Sequence, residues 1–217
     1  MAVHSMDARV PEFAPLDVQK RRRGRFWMIL VWLICAAPVI ASYLTFYVFR
    51  PMSRHSYGEL IEPQRDLPDL VGIDLNGKSQ NLQTLKGQWL LISVASGACE
   101  KLCQEQLYLQ RQLRESLGKE KERVQWVWLV ADDAPVSADI KQAVARATVL
   151  RVPVDGLQKW LYPRSEHSLQ DHLYLVDPVG HWMMRFPPEL NIQSAAKAKS
   201  DLDRVLRASA SWDHAGQ

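Results

Sequence analysis

Residues 26–49 run for 24 positions without one charged side chain. As a helix rising about 1.5 Å per residue, that run spans roughly 36 Å, enough to cross a hydrocarbon layer of about 30 Å with some tilt. Trp27, Tyr43 and Tyr47 stand towards its ends, where amphipathic rings favour the membrane interface. Pro38 falls mid-run, a position that a membrane helix tolerates. A cleaved leader is the competing reading, but the apolar run continues from Ser42 to Phe49 beyond the only small-residue site, at Val39–Ala41. The run is therefore read as an uncleaved anchor.

Charge gives the anchor a direction. Lys20, Arg21, Arg22, Arg23 and Arg25 precede it, whereas only Arg50 and Arg54 follow closely. The positive-inside bias keeps such an N-terminus in the cytoplasm and carries the C-terminal body across. In a bacterium the body would lie in the periplasm, tethered to the cytoplasmic membrane; in a mitochondrion, in the intermembrane space. Residues 1–25 hold six cations against three acids, so the whole formal charge of +3 belongs to this tail. The body is neutral, which argues against a nucleic-acid-binding face. Expected boundaries are a basic cytoplasmic tail (1–25), an anchor (26–49), a linker (50–65) and an exported domain (66–217).

Within the body, apolar runs alternate with helical spacing. Residues 69–75 and 79–82 flank Asn76-Gly77, a strong hairpin signal. Residues 89–95 read as a continuous apolar run, as expected of a strand buried on both faces, and 124–130 as a second buried strand. Helical spacing from Cys99 to about Leu117 puts Leu102, Leu109, Leu113 and Leu117 near one face. A further helix is expected over 137–147 with Ser137 as its N-cap, then strands 173–176 and 181–186 joined by a turn, then a closing helix over 189–211. Strand–helix–strand alternation implies a partly parallel central sheet covered by helices. A strand leading into a helix that opens with cysteines is the thioredoxin-like α/β arrangement.

Cys99 and Cys103 carry the chemistry, because Cys35 lies inside the apolar span. The pair falls where a buried strand ends, which is where open α/β sheets place their functional crevice. A helix N-terminus favours a thiolate at Cys99. In an ideal helix, residues four apart hold their Cβ atoms about 5–6 Å apart, whereas a disulfide wants about 3.8 Å. Closing the pair therefore requires distortion of the first turn. Two thiolates astride a soft ion require none, and Cu(I) is the ion that thiolates select most naturally in an exported protein.

The run LVGIDLNGKSQNLQTLKGQWLL (70–91), the Cys99-x3-Cys103 spacing and the run YLVDPVG (174–180) together resemble the Sco/SenC family. The resemblance implies a membrane-anchored, thioredoxin-like copper chaperone of cytochrome c oxidase assembly, with Cys99 and Cys103 as copper-binding, redox-active cysteines. Its partners would be a respiratory oxidase subunit or another copper or thiol carrier. Two features depart from the family pattern. Lys101 and Gln104 stand where prolines are usual, and Leu169 stands where the third copper ligand, a histidine, is expected. His167 shares strand parity with position 169 and is the expected third ligand, with His172 as its alternative. His181, Met183, Met184, Trp126 and Trp128 are read as packing groups, and Asp132-Asp133 as solvated loop acids. Two other functions compete. One is a thiol–disulfide oxidoreductase in which Cys99 attacks and Cys103 resolves. The other is a degenerate relative that only binds a partner.

Overall fold

A computed structural model describes residues 18–47, 56–188 and 190–211. Residues 1–17, 48–55, Glu189 and 212–217 lie outside that description. With them go most of the expected tail, the start of the linker, and His4, His55 and His214. The chain divides into two units, Met1–Arg54 and His55–Gln217.

In the first unit, helix α1 (Val18–Tyr47) contains Pro38 and is long and apolar enough to cross a membrane over Arg23–Leu44. It reaches back through Lys20–Arg25, so the basic cluster forms the first turns of this helix.

The second unit is built on one eight-stranded sheet: β1 (Glu59–Asp66), β2 (Val71–Asp74), β3 (Ser79–Asn81), β4 (Trp89–Ala95), β5 (Val124–Val130), β6 (Thr148–Arg151), β7 (Leu173–Val176) and β8 (His181–Arg185). Their order across the sheet is β1-β8-β7-β4-β5-β6-β2-β3. The pairs β4–β5 and β5–β6 are parallel, and the others are antiparallel. Among the described residues, four α-helices accompany it: α2 (Lys101–Glu115), α3 (Ala138–Ala143), α4 (Val154–Trp160) and α5 (Ile192–Ala208).

Alternation along the central strands sorts the core into two faces. Leu90, Ile92 and Val94 of β4 join Val127 and Leu129 of β5 on one side, closed by Leu157 and Trp160 of α4. Trp89 and Leu91 meet Leu113 of α2 and Leu202 and Leu206 of α5 on the other. Further along that second face, Ala95, Trp126 and Trp128 pack against Leu107 of α2 and Val144 beyond α3. Every residue of β4 is buried. Removing a fully buried large apolar side chain from such a layer costs about 2–5 kcal/mol, so β4 is a rigid support for the turn at its carboxyl end.

The structure corrects the sequence reading in several places. Residues 59–65, expected as linker, belong to β1, which pairs with β8. Strand β6 and helix α4 add to the expected elements. The helix expected from Cys99 starts at Lys101, with Glu100 as its N-cap. Leu102 points to solvent at 81% exposure, whereas Leu113 and Leu117 of the expected face are buried, joined by Leu107 and Gln110. The helix expected over 137–147 ends at Ala143, although Ser137 does cap it, accepting from the Ile140 amide. The closing helix is shorter at both ends.

Candidate functional site: a disulfide at the carboxyl end of β4

Strand β4 ends at Ala95, and the next four residues form a turn before α2. Within it the Cys99 amide donates to the Ser96 carbonyl (3.1 Å) and the Ala98 amide to Ser96 Oγ (3.2 Å). Cys99 takes φ of 39°, in the left-handed region that residues with a Cβ rarely adopt. That conformation swings Cys99 back over the first turn of α2 and supplies the distortion that an i, i+4 bridge needs. Cys99 and Cys103 are joined as a disulfide with their Cα atoms 5.1 Å apart.

The two sulfurs stand in unlike surroundings. Cys99 is 1% exposed and packs with Ala95, Trp128 and Val136. Cys103 is half-buried, packed against the edge of the same cluster. Glu100 gives α2 no side-chain cap, and the first amide bonded within the helix is that of Gln104, to the Glu100 carbonyl (3.0 Å). The amides of the first turn, with the positive end of the helix dipole, therefore favour a thiolate at this spot.

Three polar residues hold the disulfide in place: Gln110, not named from the sequence, Gln104, noted there only as a departure from a proline, and Asp132, read there as a solvated loop acid, a reading its contacts correct. Gln104 Nε2 donates to the Cys99 carbonyl (3.0 Å). Gln110, fully buried two turns after Cys103, donates to the carbonyls of Leu91 (2.7 Å) and Val127 (3.1 Å), fixing α2 on β4 and β5. Asp132 Oδ1 accepts from the Gly97 amide (2.8 Å) and the Ala134 amide (3.2 Å), tying the cysteine turn to the loop after β5. Burial works to raise the Asp132 pKa. The hydrogen bonds from Ser96, Gly97 and Ala134, with the Arg151 guanidinium, outweigh it and hold the carboxyl below its ordinary value. Arg151 also donates to the carbonyls of Asp132 and Ala134. Asp132 is thus a fastening residue, whereas Asp133 is fully solvated, as expected of a loop acid. Only the pairing of two turns 35 residues apart distinguishes these neighbours.

The histidines come to the same end of the sheet. Leu173 pairs with Ser93 in the β4–β7 register, so the segment before β7 lies beside the carboxyl end of β4. His172 is fully buried there, with Nδ1 2.8 Å from the Phe186 carbonyl and Nε2 accepting from the Arg164 amide (3.1 Å). Those contacts make it a neutral imidazole donating from Nδ1, with neither nitrogen left for a ligand. His167 lies nearer solvent, its Nδ1 3.6 Å from Asp171 Oδ2 and its ring centroid 5.8 Å from that of His172. Leu169 opens a 3-10 turn, and its carbonyl accepts from the Tyr174 hydroxyl (3.0 Å), whose pKa burial pushes up. His181 sits apart between Asp66 and Asp177, while Met184 is core.

Among the described residues, no three His, Cys, Asp or Glu side chains come together as a metal-holding group. With the thiols joined and both His172 nitrogens engaged, the donors do not fit a Cu(I) centre in this form of the protein.

Burial lowers the His172 pKa below its ordinary 6.5, only partly opposed by the Phe186 bond. Below about pH 6.5 the unfolded chain takes up a proton that the folded one refuses, so stability falls as pH drops. In chemical denaturation series from pH 8 towards 5, His172→Gln should lose that part of the slope, at most about 1.4 kcal/mol per pH unit. An unchanged slope would mean that His172 charges freely in the fold.

A helix long and apolar enough to span a membrane, a thioredoxin-like sheet and a dicysteine turn at the carboxyl end of β4 fit a membrane-anchored thioredoxin-like protein. Residues 89–209, more than half of the chain, match the transmembrane-like, thioredoxin-like C-terminal domain family, and the chain belongs to that family. No curated protein matches it significantly. Among solved structures, yeast Sco1 superposes with a TM-score of 0.53 at 16% identity, over 68% of this chain and 97% of that one. Yeast Sco1 with copper bound gives 0.51 at 16%, over 68% and 96%. A SCO1/SenC family lipoprotein from Bacillus anthracis gives 0.50 at 17%, over 69% and 99%. The Sco/SenC resemblance read from the sequence thus holds at the level of the fold.

Proposed function

We propose that this protein is a membrane-tethered thiol–disulfide exchange factor of Sco-like fold, acting through Cys99 and Cys103. The observation that carries the reading is the unequal burial of the two sulfurs in a disulfide at a helix N-terminus. A partner thiolate attacks Cys103 Sγ, the accessible sulfur, and forms a mixed disulfide. The Cys99–Cys103 bond breaks, and its electron pair leaves on Cys99 Sγ, which takes up a proton. A second partner thiolate then attacks the partner's own sulfur and releases Cys103 as a thiolate. The partner has lost two electrons to the pair, and the two protons from its thiols are taken up by Cys99 and Cys103. Run backwards, the dithiol reduces a partner disulfide. This proposal gives the reacting role to Cys103, where the sequence reading gave it to Cys99.

The Sco-like fold and the membrane helix support a place outside the cytoplasmic membrane. There the partner would be a respiratory oxidase subunit or a copper or thiol carrier whose cysteines must be in the right redox state to receive metal. A second reading, Cu(I) held by the reduced pair with His167, is favoured by the register that brings the histidine segment to the same sheet end.

One labelling experiment tests chemistry and side together. Spheroplasts carrying the Cys35→Ser chain are treated with dithiothreitol and then with a membrane-impermeant maleimide. The expected result is one label per chain after reduction, on Cys103, and none before. No label in intact spheroplasts but one after lysis would place the domain inside. No labels without denaturant in either case would make the disulfide structural.

A further inference from the structure

Beside Cys103, α2 and α3 leave a groove between them. Gln104, Tyr108 and Arg111, spaced i, i+4, i+7, form its α2 wall, Ile140 and Ala143 its α3 wall, and Trp126 its floor. The cavity measures about 150 Å³ and is continuous through Arg111, Trp126 and Ala143 with a second of about 180 Å³ that ends at Arg146. Gln104 adjoins Cys103 in sequence, and Cys103 packs on the same cluster as Leu107, Trp126 and Val144. The groove therefore opens beside the sulfur that a partner would attack. Its near part is apolar, and its far part carries Arg111 and Arg146. None of the described lining residues is acidic. Tyr108 is 61% exposed on the rim, an aromatic side chain of the kind that anchors interfaces.

We propose that this groove receives the stretch of the partner protein that carries the attacking cysteine, with an apolar side chain next to the thiol and a carboxylate beyond it. The proposal rests on the exchange reading above. An apolar residue fills the space over Trp126, and a carboxylate matches the two arginines at the far end. Docking would hold the partner thiolate in line with Cys103 Sγ, raising the exchange rate without changing its chemistry. The substrate class is thus a polypeptide cysteine in an apolar and acidic context, and small thiols gain nothing from the groove.

The test uses the full chain, oxidised, in detergent. Its probes are single-cysteine peptides in which leucine and glutamate follow the cysteine at successive spacings, against matched peptides with serine and lysine. Mixed-disulfide formation is followed by quenched mass spectrometry. At the best spacing the leucine–glutamate peptide should react roughly tenfold faster and saturate. Ala143→Phe, which fills the groove, and Arg111→Glu, which reverses its charge, should each collapse that preference to within about twofold. If Ala143→Phe does not fold, Arg111→Glu alone decides. Equal rates for both peptides in a chain that dithiothreitol readily reduces would overturn the groove and leave the exchange reading standing. Resistance to dithiothreitol as well would overturn both. A chain that is dimeric in detergent and becomes monomeric with Arg111→Glu would assign the groove to a second copy, against the proposal.

Discussion

Gly97→Ala should loosen the site more than any other single-atom change in the domain. A β-carbon at Gly97 would overlap the carbonyl oxygen of Ala134, which is backbone and cannot swing aside. Making room means parting the cysteine turn from the loop after β5. That costs the Gly97–Asp132 hydrogen bond (2.8 Å) and leaves a carboxylate oxygen with one fewer donor. Overpacking of this kind costs about 1–3 kcal/mol, and a weakened charged hydrogen bond adds to it. The expected loss is about 2–4 kcal/mol in urea denaturation. Because Cys99 lies two residues further on, its sulfur should also become open to alkylation after reduction. A variant of unchanged stability whose Cys99 stays protected would show that the turn moves without the disulfide. Asp132→Asn keeps shape and acceptor but not charge, so it should fall well short of this effect.

How legible each element is in the sequence depends on what its residues face. Strands β4, β5 and β7 are legible because burial on both faces demands near-continuous apolar runs, and 89–95, 124–130 and 173–176 are such runs, interrupted by Ser93 and Gln125. Strand β1 is not, because Glu59–Asp66 is an edge strand whose one buried residue is Ile61. An edge tolerates Pro63 and a row of charges, which is also the composition of a linker. Strand β6 and helix α4 are too short, at four and seven residues, for periodicity to declare itself. The cysteine pair is conspicuous by position, but its geometry is not. Ideal-helix spacing misses the left-handed Cys99, and only packing shows that Cys99 is enclosed while Cys103 is half-buried. For the histidines, strand parity fails because residues 169–171 form a 3-10 turn, which breaks the two-residue alternation before β7.

The second large effect concerns the cysteines one at a time. Cys99→Ser leaves Cys103 as a half-buried thiol in the first turn of α2, exposed to reagents and favoured as a thiolate. Cys103→Ser leaves Cys99 enclosed at 1% exposure among apolar groups, where burial opposes ionisation. Either change removes the short-loop disulfide and ends two-electron exchange. The single thiols that remain differ in access and in ionisation, so they should differ in rate. With Cys35→Ser in both chains, reaction with dithiodipyridine under native conditions gives the two rates directly. The account predicts that Cys103 in the Cys99→Ser chain reacts at least about tenfold faster than Cys99 in the Cys103→Ser chain. Two thiols that react only after denaturation, or a faster Cys99, would contradict it.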